Sequence, residues 1–178
     1  MGGKAETEMS GYRVNTTFHT GLTVSDLDRA VAFFRDVLGG EVTGEDAADA
    51  GFMARLTGVA GASARLAFVK LSGHAVELIE YDGPVDKAAS TLRPCDPGFA
   101  HISFTVDGIE ALVAACRDHG FAAVRPVLTM TDGPARGTKV VYLRDPDGLT
   151  VELIEWAADT ATEAASDGSV DAAPNGSG

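Results

Sequence analysis

Apolar and polar residues alternate with a period of two near the start of each half of the chain. Phe18, Leu22 and Val24 fall on one face of a strand, and His19, Gly21 and Thr23 fall on the other. Ile102, Phe104 and Val106 oppose His101, Ser103 and Thr105 in the same way. One face of each strand is apolar and packs; the other is small or polar and is free to line a cavity. The period then becomes helical, with Leu27, Val31, Phe34 and Leu38 in the first half and Ile109, Leu112, Val113 and Cys116 in the second. Ser25 followed by Asp28, and Asp107 followed by Glu110, are the expected caps, and Gly39-Gly40 and Gly120 the expected stops. Three strands are predicted after each helix. They cover about 40–43, 64–72 and 75–81 in the first half, and 123–130, 138–144 and 149–156 in the second. Asp145-Pro-Asp-Gly148 is the turn joining the last two, and 44–62 reads as an inserted segment.

The two halves also repeat in their letters. His19-Thr-Gly-Leu-Thr-Val24 is echoed by His101-Ile-Ser-Phe-Thr-Val106, and Val76-Glu-Leu-Ile-Glu-Tyr81 by Val151-Glu-Leu-Ile-Glu-Trp156. The two His are 82 positions apart and Glu77 and Glu152 are 75 apart, so one seven-residue insertion within 44–62 reconciles the halves. Two six-residue patterns repeated in the same order point to duplication. The expected architecture is α+β, two tandem βαβββ modules at 16–83 and 98–156 inside a domain of 15–156. Residues 1–14 read as a flexible leader and 157–178 as a disordered acidic tail.

Strand parity singles out the chemistry. Ala75, Glu77, Ile79 and Tyr81 share one strand face, as do Thr150, Glu152, Ile154 and Trp156. Glu77 and Glu152 therefore sit mid-strand among apolar neighbours, where an unpartnered carboxylate costs several kcal/mol to bury. Glu80 and Glu155, nearer the strand ends, are expected to be more exposed. Two His and two Glu from a duplicated module make a four-donor set, His19, Glu77, His101 and Glu152, for one divalent ion. Nitrogen and oxygen donors of this kind suit Ni, Co, Zn, Mn or Fe rather than a soft metal. Such an ion is a Lewis acid that polarises a carbonyl while a base removes the α-proton, and Glu77 or Glu152 is the nearest candidate base. His74, at a hairpin, and His119, at a helix end, have no repeat partner.

The formal net charge is −12, and −8 without the four acids that follow Trp156, which argues against nucleic acid or an anionic membrane as partner. No segment is long and apolar enough to span a bilayer and the first residues lack a signal peptide's apolar core, so the expected location is cytoplasmic. Cys95 and Cys116 read as free thiols, Cys116 as part of the helix's packing stripe.

Taken together, the His19–Val24 strand with Ser25-Asp-Leu-Asp-Arg-Ala30, Phe33-Phe-Arg-Asp-Val-Leu-Gly39, His101–Asp107 and Asp145-Pro-Asp-Gly-Leu-Thr-Val-Glu152 resemble the vicinal oxygen chelate superfamily. That superfamily includes glyoxalase I, methylmalonyl-CoA epimerase, extradiol dioxygenases and the fosfomycin and bleomycin resistance proteins. The resemblance covers about 17–156. It implies paired βαβββ modules forming a curved mixed-sheet cup around the metal, with His19, Glu77, His101 and Glu152 at the four ligand positions. It also implies modules closing within one chain or across two, and a homodimer is expected. Glu77 favours a four-ligand isomerase or lyase of the glyoxalase I or epimerase type acting on a small oxygenated molecule. The alternatives are an Fe(II)-dependent extradiol-type dioxygenase, which uses three ligands, or a non-catalytic binding protein of the bleomycin-resistance type.

Two departures bear on the substrate. Thr23 stands where bacterial glyoxalase I has an Arg that helps hold glutathione, and Tyr81 stands near the place of its Asn. The strand at 64–72 offers Arg65 and Lys70 but not the second acid of a two-base epimerase, so a one-base proton shift or an elimination is expected. Arg65, Lys70, Arg93 and Arg125 are candidate contacts for an anionic substrate, and the loops 82–99 and 128–137 candidate walls. Gly133-Pro-Ala-Arg-Gly137 reads equally as a lid or a plain hairpin loop.

Overall fold

The computed structural model describes residues 13–158. Most of the expected leader and tail, 1–12 and 159–178, lies outside the described residues. The first module is β1 (Thr20–Val24), α1 (Leu27–Ala32), β2 (Glu41–Ala48), α2 (Ala50–Thr57), β3 (Ala64–Leu71) and β4 (His74–Tyr81). Its sheet runs β1-β4-β3-β2, with β1 parallel to β4 and the other pairs antiparallel. The second module is β5 (Ile102–Thr105), α3 (Ile109–Asp118), β6 (Ala122–Ala123), β7 (Leu128–Thr129), β8 (Lys139–Arg144) and β9 (Thr150–Glu155). Its order, β5-β9-β8-β6 with β7 also on β8, follows the same path. The α+β duplication read from the sequence is the architecture of the protein.

The local departures have physical causes. The expected insertion is largely regular: β2 runs on to Ala48, Asp49 caps α2 by accepting from the Gly51 and Phe52 amides, and Gly58 ends it at φ 76°. The strand expected at 123–130 is only two short pieces, flanking Pro126, which has no amide hydrogen to give to a ladder. Phe18 lies before β1 and is 73% exposed instead of packing.

The helix caps differ from expectation in the same way in both modules. Asp26, not Ser25, is the side-chain cap of α1, and α3 starts at Gly108 with no cap from its own flank, Asp107 included. The strands supply the missing acceptors. Glu80 accepts from the Leu27 amide at 3.3 Å, and Glu155 from the Ile109 amide at 2.6 Å. A cation on the neighbouring strand completes each arrangement. Arg65 joins Glu80 to Asp28 of α1, and Lys139 joins Glu155 to Glu110 of α3. Glu80 and Glu155 are thus structural carboxylates that fasten a sheet to its own helix, satisfying donors the helix start leaves open.

The helix-covered faces of both sheets share one core. After Ala32 the first helix continues as a π-helical turn over Phe33–Val37, which buries Phe33 and Phe34 fully and sets Phe33 against Phe121 of the second module. Val69, Val76 and Leu78 close this core from one sheet, and Leu143, Val151 and Leu153 from the other. Gly40 has to be glycine, because a Cβ there would lie 2.5 Å from Val69 and 2.8 Å from the Phe34 carbonyl oxygen. With the covered faces turned to a common core, the uncovered faces look away from it.

Candidate metal centre

The uncovered face of the first sheet carries His19 and Glu77, with Nε2 and Oε2 3.0 Å apart. Glu77 lies beside Gly21 on β1 and opposite Phe68 on β3. The His19 ring is held edge-on between Phe18 and Phe68, with centroids at 4.9 and 5.7 Å. Its Nδ1 is buried without a hydrogen-bond partner among the described residues. On the second sheet His101 Nε2 lies 3.4 Å from Glu152 Oε2, and Glu152 sits between Ser103 and Tyr142. All four side chains are part-buried. Each repeat thus pairs one imidazole with one carboxylate on its uncovered face.

Among the described residues, no three His, Cys, Asp or Glu gather in one place. The four expected donors are brought together as two pairs, not as a set of four within the chain.

The donor chemistry fits a divalent ion. Two atoms each about 2.1 Å from one ion stand about 3.0 Å apart when adjacent on an octahedron and about 3.4 Å apart on a tetrahedron. The His19–Glu77 and His101–Glu152 separations are close enough for each pair to reach one ion, as they are for a direct imidazole–carboxylate contact. The unpartnered His19 Nδ1 further marks a ring that contacts within the chain leave incompletely satisfied.

The other expected candidates are elsewhere. His74 Nε2 is 2.9 Å from the Thr20 hydroxyl, and His119 is the last residue of the α3 cap. Arg65 is engaged on the helix-covered side by Asp28 and Glu80, away from the uncovered faces, and Arg93 pairs with Asp96. Lys70 is the exception: it lies on the uncovered face of β3, two residues from the Phe68 that stands opposite Glu77. The loop at 133–137 is closed by its own backbone bonds, Arg136 to Gly133 and Gly137 to Met130, as a hairpin connection.

Two residues of the second sheet's uncovered face escape a reading of periodicity. The Tyr142 ring is 5.0 Å from that of His101, and burial, then the charge of Glu152, raises its phenol above the ordinary value. Arg144 stands 5.5 Å over the Phe99 ring, and bonds to the Thr150 hydroxyl and the Leu92 carbonyl. Both lie two residues apart on β8, but only the β8–β9 register sets Tyr142 opposite Glu152.

The Asp145–Gly148 turn ties the modules together. Asp147 accepts from the Ser25 amide at 2.8 Å and from Arg29 at 3.2 Å, and the buried Asp145 lies 3.7 Å from Arg29. Burial, with Asp147 close by, raises the Asp145 carboxyl above the usual range. Gly148, at φ 88°, leaves room for the linker backbone at Ser90, whose carbonyl oxygen would lie 2.2 Å from an added Cβ.

Residues 16–153 match the family model of the glyoxalase/bleomycin resistance protein/dioxygenase superfamily. The chain belongs to this superfamily. It is 35% identical over 145 residues to a 2-epi-5-epi-valiolone epimerase from an Actinomyces species, covering 79% of each chain. It is 33% identical over 141 residues to the lactoylglutathione lyase of Haemophilus influenzae, covering 77% of this chain and 90% of that one. Among solved structures it resembles a glyoxalase family protein from Bacillus cereus, with TM-score 0.71, 22% identity and coverage of 84% and 99%. A fosfomycin resistance protein from Listeria monocytogenes, complexed with Mn(II) and sulfate, shares the fold at TM-score 0.54 and 15% identity, with coverage of 84% and 99%. In this chain no helix among the described residues is long and apolar enough to cross a membrane.

Proposed function

We propose that the protein is a divalent-metal-dependent isomerase or lyase that moves a proton α to a carbonyl in a small oxygenated substrate. The reading makes it glyoxalase I-like or epimerase-like. The observation that carries it is the repeated pairing of His19 with Glu77 and of His101 with Glu152. Relatives named as an epimerase and a lyase at 33–35% identity support the same reaction class.

The full site is made by two copies of the chain. β1 and β5 are each a free edge of their sheet, and each follows directly on its His. A two-fold dimer that sets β1 of one copy beside β5 of the other places His19 and Glu77 of one near His101 and Glu152 of its partner, twice over. His19, Glu77, His101 and Glu152 then hold one Ni, Co, Zn or Mn ion per site. When bound, such an ion acts as a Lewis acid toward a substrate carbonyl.

The protein's own groups do the rest. Glu77 and Glu152 are carboxylates on part-buried faces, able to take a proton from the α carbon and return it. With one base, return to the adjacent carbon gives an isomerisation and loss of a β-group an elimination; an epimerisation would need the second of these two carboxylates to give a proton to the opposite face. No acid on β3 faces the pairs: its uncovered positions are Ala64, Leu66, Phe68 and Lys70, which supports a one-base reaction.

Metal content of the purified full chain, with Glu77→Ala and His101→Ala beside it, tests this reading. About one ion per chain, lost in both variants, is expected. Iron kept by Glu77→Ala and lost by His101→Ala would replace it with a three-ligand dioxygenase. No metal after reconstitution would overturn it in favour of a binding protein.

A further inference from the structure

We infer that Arg144 holds an oxyanion of the substrate, a carboxylate or a phosphate, beside the His101–Glu152 pair; as a substrate contact, this rests on the proton-transfer reading above. The strand registers put it there. On β8, Tyr142 stands opposite Glu152 and Arg144 opposite Thr150. β5 begins with Ile102 beside Val151, which aligns His101 with the same Thr150. His101 and Arg144 thus end one cross-strand row, two strands or about 10 Å apart, and that row lies about 7 Å along the sheet from Glu152. Phe99 links the two ends: its ring centroid is 6.0 Å from that of His101 and 5.5 Å from the Arg144 guanidinium carbon. β8 is an inner strand, so a partner strand added at the β5 edge does not pair with it.

The first repeat supplies a comparison. Phe68 stands opposite Glu77 and Lys70 opposite Ala75, so Lys70 holds in the first sheet the place of Arg144 in the second. Their outer neighbours differ. Lys70 faces Glu41 on β2, an acid that offsets its charge, whereas Arg144 faces Ala122 on β6. Arg144 forms no ion pair among the described residues, in a chain with 26 acids against 14 lysines and arginines. Its partners are neutral: Nε donates to the Thr150 hydroxyl at 3.1 Å, and one terminal nitrogen to the Leu92 carbonyl. These two bonds, with the Phe99 ring beneath, fix the guanidinium and use two of its five N–H groups, which leaves three for a ligand. A fixed fork whose charge no carboxylate balances is suited to an oxyanion, which it can grip with two parallel hydrogen bonds.

The test uses the metal-loaded full chain and α-proton exchange in D2O, followed by NMR. The probes are two matched pairs, dihydroxyacetone phosphate with dihydroxyacetone and 4-oxopentanoate with its methyl ester. Calorimetric binding of inorganic phosphate runs beside them. In at least one pair the anion should have a KM about tenfold or more below that of its neutral partner, and the pair that shows it tells phosphate from carboxylate. Arg144→Met should raise the anion's KM about ten- to a hundredfold, the loss of hydrogen bonding to a charged group, and the neutral partner's far less. Arg144→Lys should recover part of the loss, and it carries the test if the Met variant does not fold. Lys70→Met should shift the anion's KM less than about threefold, the size of a solvent-screened charge effect. Equal KM for anion and neutral partner in both pairs overturns the inference. So does an equal rise for both partners in Arg144→Met, which would mean that Arg144 only fastens the linker at Leu92 and Phe99. A loss in Lys70→Met as large as that in Arg144→Met overturns the assignment to Arg144. Phosphate binding that Arg144→Met abolishes, with no exchange of any probe, supports the anion contact and overturns the proton-transfer reading instead; neither exchange nor phosphate binding overturns both.

Discussion

The rings of Phe33 and Phe121 stack with centroids 3.8 Å apart and planes 18° from parallel, one ring from each repeat. The contact joins the helical layer of one module to that of the other. It explains why the four candidate donors form two pairs, since sheets that share a core on their covered faces cannot also share their uncovered ones.

Phe121→Ala should therefore be costly. Phe121 is buried and its ring fills the junction, so truncation is expected to lower unfolding stability by about 3–5 kcal/mol. Chemical denaturation checks this. A loss below 1 kcal/mol would mean that the modules do not depend on the stack.

Much of this was legible in the letters and some was not. Period-two strands, helical stripes and the repeated His and Glu located both modules and both pairs, because each is a local pattern. Glu80 and Glu155 are more exposed than Glu77 and Glu152, as expected, but their role as helix caps is not legible in the sequence, since their partners, the Leu27 and Ile109 amides, are 53 and 46 residues away. Arg65 looked available to a substrate for the same reason: only the β3–β4 register and the placement of α1 turn it to Asp28 and Glu80. The α2 helix was hidden in Gly- and Ala-rich sequence, although its Asp49 cap and Gly58 stop were both on view. Periodicity names faces; it does not name what a face meets.

Glu155 gives a pH signature. The Ile109 amide, then Lys139, hold its carboxyl below the usual range. A carboxyl depressed in the folded state contributes stability above its unfolded value, near pH 4.3, and loses it as pH falls through the folded value. Glu155→Gln should be less stable than wild type at pH 7, with the gap closing as pH drops through the carboxylate range. Thermal melts across pH 3–7 read this; a gap independent of pH would refute the ionic cap.

Gly40 should tolerate no side chain. Gly40→Ala drives a methyl into Val69 and the Phe34 carbonyl, and a loss of about 1–3 kcal/mol is expected. Gly44→Ala, where nothing lies within 4 Å of an added Cβ, is the matched control. Equal stability of the two variants would contradict the packing described.

The two thiols should differ in reactivity. Burial pushes the Cys116 thiol up to about 11, whereas Cys95 is exposed. A thiol reagent at pH 8 should label one cysteine per chain quickly and the second only on unfolding. Fast labelling of both would mean that the α3 core is open.

The shared centre is tested most directly by mixing two disabled chains. One carries His19→Ala with Glu77→Ala, the other His101→Ala with Glu152→Ala, and each alone should bind no ion. Co-refolded, they should form a mixed dimer in which one site keeps an intact pair from each chain, and metal binding should return. If the wild type binds metal and the mixture stays empty although mixed dimers form, the two pairs do not meet across subunits.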